Sequence, residues 1–301
     1  MGRRRVYLRK AVVAPFDGIC SGDITVIEAI PGKILPELLP FVIQNDAFFD
    51  YAEQGSAGSL SPRVKWEHLK DFEVNLPSID NQKVLAEKLW AAYRLKESYK
   101  KLLAATDEMV KSRFIEMFGL PSSNVIKYPV KKIGSSANCY AGATPSTSKA
   151  SYWENGIIPW MSSGEVHKGR VYETDAMISQ LGFDCCSTKM VPPHSVVIAL
   201  AGQGKTRGTV AINEIELCTN QSLCAIVPNS TVNYEYLYHN LRCRYSELRA
   251  MAGDANGRGG LNLKHIQSIA VSVPPMEKQL EFVNVAKLAD KSGFVSSNRG
   301  L

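Results

Sequence analysis

Residues 69–89, LKDFEVNLPSIDNQKVLAEKL, and residues 266–286, IQSIAVSVPPMEKQLEFVNVA, are two copies of one module set 197 positions apart. Leu69 aligns with Ile266, Phe72 with Ile269, Val74 with Val271, Leu76 with Val273, Pro77 with Pro274 and Gln82 with Gln279. Each copy alternates apolar and polar residues, meets a proline and continues in helical spacing, which predicts a short strand turning into a helix. One residue of indel upstream brings ELL at 37–39 opposite EYL at 235–237, and a glycine-bearing loop, GSAGSL or GRGGL, follows in both copies. Such a chain folds as two related modules and a connector.

The same offset sets expectations for the ends. Residue 1 stands opposite about residue 198, and a second module starting near Pro121 has its first-copy counterpart near −76. The first module is therefore expected to lack roughly its N-terminal half. Gly119 ends the connector, and its counterpart at 316 lies beyond Leu301. The expected organisation is a partial first module over 1–80, a long helix over 81–119, a complete second module over 120–275 and a shortened second helix over 276–301. The tail KSGFVSSNRGL puts Gly293, Gly300 and two adjacent serines where the first copy stays helical.

From Asn81 to Phe118 the chain has neither proline nor glycine, and Leu85, Leu89, Ala92, Lys96, Tyr99, Leu103, Thr106 and Val110 follow a 4-3-4-3 spacing. That is a seam for a partner helix. At about 1.5 Å per residue it reaches roughly 57 Å, longer than one module's core requires. An ordinary long helix on a domain, with its charges on a solvated face, is the plainer reading. The second module reads as mostly β: VKKIGSSANCYAGATPST as a strand into a turn, HSVVIALAGQ as a buried strand, and 234–251 as one helix with Tyr238, Leu241, Tyr245 and Leu248 on a face. An α+β class follows.

At 301 residues, 45% hydrophobic and 21% charged, the chain has apolar material for one large or two modest cores. A net charge of +6 and a pI near 8.8 are compatible with nucleic-acid contact without requiring it. Seven cysteines, none in zinc spacing, predict free thiols in a reducing cytoplasm and no metal site. No run of 18 apolar residues and no signal-peptide core is present, so no membrane partner is expected.

GQGKTRG at 202–208 sets two cations and two polar side chains among three glycines. The phosphate-loop spacing G-x-x-x-x-G-K-[ST] lacks its first glycine, and the following TVAIN reads as a strand where a phosphate-binding helix would start. A hairpin without ligand and a basic loop that meets a polyanion both fit. The histidines are scattered, and no serine or cysteine stands in a nucleophile-elbow setting. No catalytic residue and no cofactor is expected.

GATPS at 142–146, YW at 152–153, IPWMSSGEV at 158–166, GQGKTRG, TNQS at 219–222, GGLNLKHIQSIAVSVPP at 259–275 and DEMVKSRFIEMFG at 107–119 occur in an order that resembles the DNA-specificity subunit of type I restriction-modification systems. The likeness covers nearly the whole chain. It implies β-rich target-recognition domains joined by long coiled-coil-type helices. Each domain would read half of a split site in double-stranded DNA, while the helices would form an antiparallel spacer and dock methyltransferase subunits. The restriction subunit would join through the complex. On this reading Thr144, Ser146, Ser162, Ser163, Gln203, Lys205, Arg207 and Arg258 are the DNA-facing candidates. Leu85, Leu89, Tyr99, Leu103 and Val110 are the docking positions. Each has a structural alternative: Pro145, Trp153 and Trp160 as packing, Ser162 and Ser163 as turn caps, Asn220 and Gln221 as partners for buried backbone. Two functions are left: a recognition subunit, or a truncated, silent cassette that only scaffolds methyltransferase subunits.

Overall fold

The computed structural model describes residues 1–119, 127–202, 204–251 and 260–297, by backbone alone from 290 onward. It divides into two compact units, Met1–Leu102 and Leu103–Leu301. Among the described residues no helix is long and apolar enough to cross a membrane.

Unit 1 holds α1 (Leu39–Ile43), α2 (Asp46–Gln54), the antiparallel pair β1 (Ser56–Ala57) and β2 (Arg63–Val64), α3 (Trp66–Leu69) and the first part of α4 (Ile79–Phe118). Its core is small: Met1, Val6, Phe48, Phe49, Ala52, Val64 and Leu69. Asn45 starts α2 by accepting the Ala47 N–H at 2.8 Å, an N-cap bond that satisfies an otherwise orphaned donor.

Unit 2 contains β3 (Val130–Lys132), α5 (Ile133–Ser136), β4 (Ala137–Ala141), β5 (Ile158–Met161), β6 (Arg170–Val171), β7 (Ala176–Ile178), α6 (Gln180–Asp184), β8 (Ser195–Ala199), β9 (Val210–Asn213), β10 (Cys218–Thr219) and β11 (Leu223–Pro228). Then come α7 (Tyr234–Cys243), α8 (Tyr245–Ala250), α9 (Leu263–Ser268), β12 (Ala270–Ser272) and α10 (Met276–Ser297). The main sheet has the order β4-β11-β8-β9-β6, a smaller one the order β10-β5-β7, and β12 pairs with β3. All five residues of β8 are buried because the sheet is covered on both faces, which is why VVIA at 196–199 runs apolar without alternation. Val196, Ile198, Ile212 and Ile226 face the helices, while Val197, Ala199, Ala211 and Ala225 face Met161, Val171 and Leu217.

The internal repeat is visible as chemistry. Gln279, fully buried, accepts the Asn233 N–H at 2.8 Å and donates to the carbonyls of Thr231 (3.0 Å) and Pro274 (2.8 Å). Gln82, also buried, accepts the Leu35 N–H at 3.0 Å and donates to the carbonyls of Lys33 (3.1 Å) and Pro77 (3.0 Å). The partners correspond residue for residue, with the one-residue indel between the blocks. At the start of the chain the Thr25 N–H donates to the Met1 carbonyl at 2.8 Å, the counterpart of the Leu223–Ala199 pair between β11 and β8.

Three expectations change. The stretch 234–251 is two helices, because Arg244 leaves helical geometry (φ −105°, ψ 20°). Its buried guanidinium reaches Glu247 and the Ala270 carbonyl. The strand read in the first copy does not form: β12 pairs with β3, whereas its counterpart 73–75 has no strand partner among the described residues. The boundary read at 120 falls instead inside α4, because Val110, Phe114 and Phe118 belong to the core of unit 2 with Tyr236 and Phe282. Helix α4 itself matches the reading, beginning two residues earlier and closed by Gly119 at φ +68° with its N–H on the Ile115 carbonyl at 2.8 Å.

Candidate nucleic-acid interface

The topology of unit 2 collects its loops at one end. In the antiparallel array, β4 and β8 finish at the same end where β9 and β11 begin, and β6, parallel to β9, begins there too. Parallel β5 and β10 finish side by side. The loops after β4, after β5, between β8 and β9 and between β10 and β11 must therefore converge. Backbone hydrogen bonds fasten them together: Ala143 N–H to Thr219 (2.9 Å), Asn220 N–H to Met161 (3.1 Å), Leu200 N–H to Ser222 (2.8 Å) and Leu261 N–H to Leu200 (2.8 Å).

Gly142 makes the first junction possible. A Cβ there would lie 1.9 Å from the Thr219 carbonyl oxygen, so the requirement is close approach rather than an unusual φ. Two residues on, Thr144 donates its hydroxyl to the Gln221 side-chain oxygen across 77 positions of sequence. Trp160 donates to the Ala143 carbonyl at 3.1 Å and Trp153 to the Ser146 carbonyl at 3.2 Å, and the two indoles meet edge to face at 5.0 Å. Both tryptophans and buried Pro145 thus act as packing that shapes the 142–146 loop. Ser146 is exposed, with its hydroxyl 2.9 Å from that of Ser148.

Ser162 and Glu165 form a capping box at the 3-10 turn Ser163–Lys168, with the Glu165 carboxylate accepting the Ser162 N–H at 2.7 Å. Ser162 and Ser163 are half-buried, so the capping alternative describes Ser162. Lys168 in the same turn donates to Asp175 (2.7 Å) and Glu165 (2.9 Å), and the Asp175 bond raises its pKa, so its charge is paired within the turn region at the surface. The exposed His167 ring, 3.1 Å from the Thr206 hydroxyl, ties this turn to the glycine loop.

The 202–208 loop is folded back, with Gly202, Gly204 and Gly208 at φ +129°, +64° and +81°. Arg249 of α8 donates to the Gly204 carbonyl, and the Lys205 carbonyl accepts from the hydroxyls of Thr209 (2.7 Å) and Tyr245 (2.9 Å). The backbone is held while the Lys205 side chain stays exposed. Arg207 is only 8% exposed and is drawn into the fold. Gln203 and Arg258 lie outside the described residues.

The site therefore gathers Thr144, Ser146, Ser162, Ser163 and Lys205, and adds three residues that the sequence reading did not choose: Gln221, His167 and Arg249. Asn220 does satisfy backbone, accepting the Ser222 N–H at 3.1 Å, but its neighbour Gln221 is exposed. The signal was present in TNQS, a polar tetrapeptide at the end of β10. The docking positions divide. Val110 is 4% exposed in the core of unit 2 and is closed to a partner, Leu85 and Leu89 line a groove in unit 1, and Tyr99 and Leu103 are exposed.

A rigid sheet that gathers polar, glycine-bearing loops at one end is a loop-presenting recognition module. Residues 126–287, more than half of the chain, match the type I restriction modification DNA specificity domain, and the chain belongs to that family. It is 27% identical over 157 residues to the EcoR124I/EcoR124II specificity subunit of Escherichia coli, covering 52% of this chain and 39% of that protein. It is 22% identical over 232 residues to the MjaIX specificity subunit of Methanocaldococcus jannaschii, covering 71% of this chain and 53% of that one. The chain thus spans about half the length, or less, of these curated relatives. Its fold is similar to that of the type I restriction-modification S subunit from M. genitalium, with a TM-score of 0.57 at 15% identity over 88% of this chain and 68% of that one.

Proposed function

We propose that this chain is the DNA sequence-recognition subunit of a type I restriction-modification complex. In the cytoplasm it directs methyltransferase subunits, and through them a restriction subunit, to a target in double-stranded DNA, while the chemistry belongs to those partners. The observation that supports the reading most is the convergence of four polar loops at one end of a sheet buried on both faces. Such a platform holds short side chains at fixed spacing, as groove readout requires. Lys205 is suited to a phosphate, Thr144 with Gln221 and Ser146 to base edges, and Gln203 belongs by sequence to the loop between β8 and β9.

The test is co-expression with the methyltransferase subunit and genome-wide mapping of methylated adenines, followed by DNA affinity of the complex at several salt concentrations. Lys205→Ala should weaken binding to all duplexes and reduce the salt slope by about 1. Gln221→Ala and Gln203→Ala should each cost about 1–3 kcal/mol on the mapped target alone. No new methylated motif, or variants that match the parent at every salt, would sink the reading.

A further inference from the structure

The converging loops of unit 2 are not fastened alike. Residues 142–146 and 219–222 are tied to the rest by backbone, through the Ala143–Thr219 and Asn220–Met161 bonds. In the glycine loop the backbone closes the base, with the Gly208 N–H on the Ala199 carbonyl at 2.9 Å and the Thr209 N–H on the Thr206 carbonyl at 3.0 Å. Farther out, the carbonyls of Gly204 and Lys205 are met by side chains, those of Arg249, Tyr245 and Thr209. Two of these three belong to α8.

A series of hydrogen bonds runs from that helix into the loop. Arg249 donates to the Tyr245 hydroxyl at 2.9 Å, the hydroxyl donates to the Lys205 carbonyl at 2.9 Å, and the same guanidinium nitrogen reaches the Gly204 carbonyl. Bonds in such a series polarise and strengthen one another. The helix also lies flush against the loop, since a Cβ on Gly208 would stand 3.4 Å from both Leu248 Cβ and Arg249 Cγ. The first copy of the repeat makes the same grip with other chemistry. Allowing for the one-residue indel, Arg9 stands opposite Arg207 and α2 opposite α8. Arg9 donates to Asp46 at 2.6 Å and to Asp50, both on α2. In each unit the helix at this position holds the loop.

We propose that Tyr245 and Arg249 are positioning residues for Lys205, fixing where its exposed ammonium meets a phosphate without touching DNA themselves. A held carbonyl fixes its peptide plane, and the Gly204 and Lys205 carbonyls belong to the two planes that flank the Lys205 Cα. A lysine carries its charge on a flexible four-carbon stem, so the direction of its Cα–Cβ bond decides which phosphate it reaches. A side chain that meets a ligand works only as well as the groups that hold it in place. The phosphate role rests on the DNA-recognition reading; the grip of α8 on the loop does not.

Tyr245→Phe is the test, because it removes one hydroxyl and no charge. In the full chain without DNA, amide hydrogen exchange over 204–209 should quicken about fivefold or more while the melting temperature stays at the parent's. In the complex with the methyltransferase subunit, the salt slope of DNA affinity should fall by about 1, as it does for Lys205→Ala. Added to Lys205→Ala, Tyr245→Phe should lower the slope no further, since both act on one contact. Unchanged exchange in Tyr245→Phe overturns the proposal whatever the complex does. So does a parental salt slope in Tyr245→Phe, and a slope that falls in Arg249→Ala alone would make Arg249 itself the phosphate contact. A parent complex that binds no DNA at any salt sinks the recognition reading and the phosphate role with it, and the exchange measured without DNA tells that result apart from failure of the grip.

Discussion

His239 sits on α7 at 3% exposure, with its ring against Tyr238 and Phe282 at 5.1 and 5.2 Å and no hydrogen-bond partner for Nε2 among the described residues. Burial first, and the charges of Arg242 and Arg170 after it, push its pKa down to about 3. An unfolded histidine titrates near 6.5, so below that pH the unfolded chain binds a proton that the folded chain refuses. Stability present above about pH 6.5 is then lost as pH falls toward 3, by at most about 1.4 kcal/mol per pH unit for this group. Urea unfolding of the parent and of His239→Gln between pH 6.5 and 4.5 should give a shallower pH slope for the variant. Parallel slopes would mean that the ring is protonated or solvated in the fold. At this scale the sequence was least informative. GATPS and GQGKTRG were recognisable as loops, but the inward turn of Arg207, the hydroxyl of Thr144 on Gln221 and the need for glycine opposite Thr219 depend on residues tens of positions away. Periodicity carries no information about such pairs.

Helix α4 was the most legible element, since a stretch without proline or glycine has few alternatives and the 4-3 spacing marks one stripe. Its environments were not legible. The stripe enters three surroundings: Leu85 and Leu89 beside the groove, Tyr99 and Leu103 in solvent, and Val110 in the core of unit 2. Leu95 and Met109 in the same middle stretch are also exposed, at 58% and 53%. Large apolar side chains repeated on a solvent-facing helix are what a coiled-coil partner would cover. Tyr99→Asp combined with Leu103→Asp should therefore abolish co-purification with a methyltransferase subunit while leaving the melting temperature within a degree or two of the parent. A lower melting temperature would show that the stripe packs within this chain, and an intact complex would place docking elsewhere. The single helix read over 234–251 fails for a related reason: its apolar face runs past Arg244, where the backbone leaves helical geometry and the guanidinium is held by Glu247 and the Ala270 carbonyl.

At the scale of the whole molecule the repeat was legible because buried glutamines, prolines and β-branched residues keep their spacing when a module is duplicated. The domain edge was not, because the core of unit 2 takes residues from both flanking helices. Val110, Phe114 and Phe118 on one side and Phe282, Val283 and Ala286 on the other are each below 5% exposure in one cluster. A fragment of residues 120–275 would lose all six. Truncating a buried phenylalanine alone costs about 3–5 kcal/mol, and the whole stability of a domain is about 5–15 kcal/mol. The fragment 103–301 should therefore unfold in one cooperative thermal transition, while 120–275 should melt without one and bind a hydrophobic dye. Within the full chain, unit 1, whose small core leaves a groove open, should be the first part cut by a protease. Equal cooperativity of the two fragments would place the flanking helices outside the module. Uniform protease resistance over 1–80 would mean that the core of unit 1 is as stable as that of unit 2.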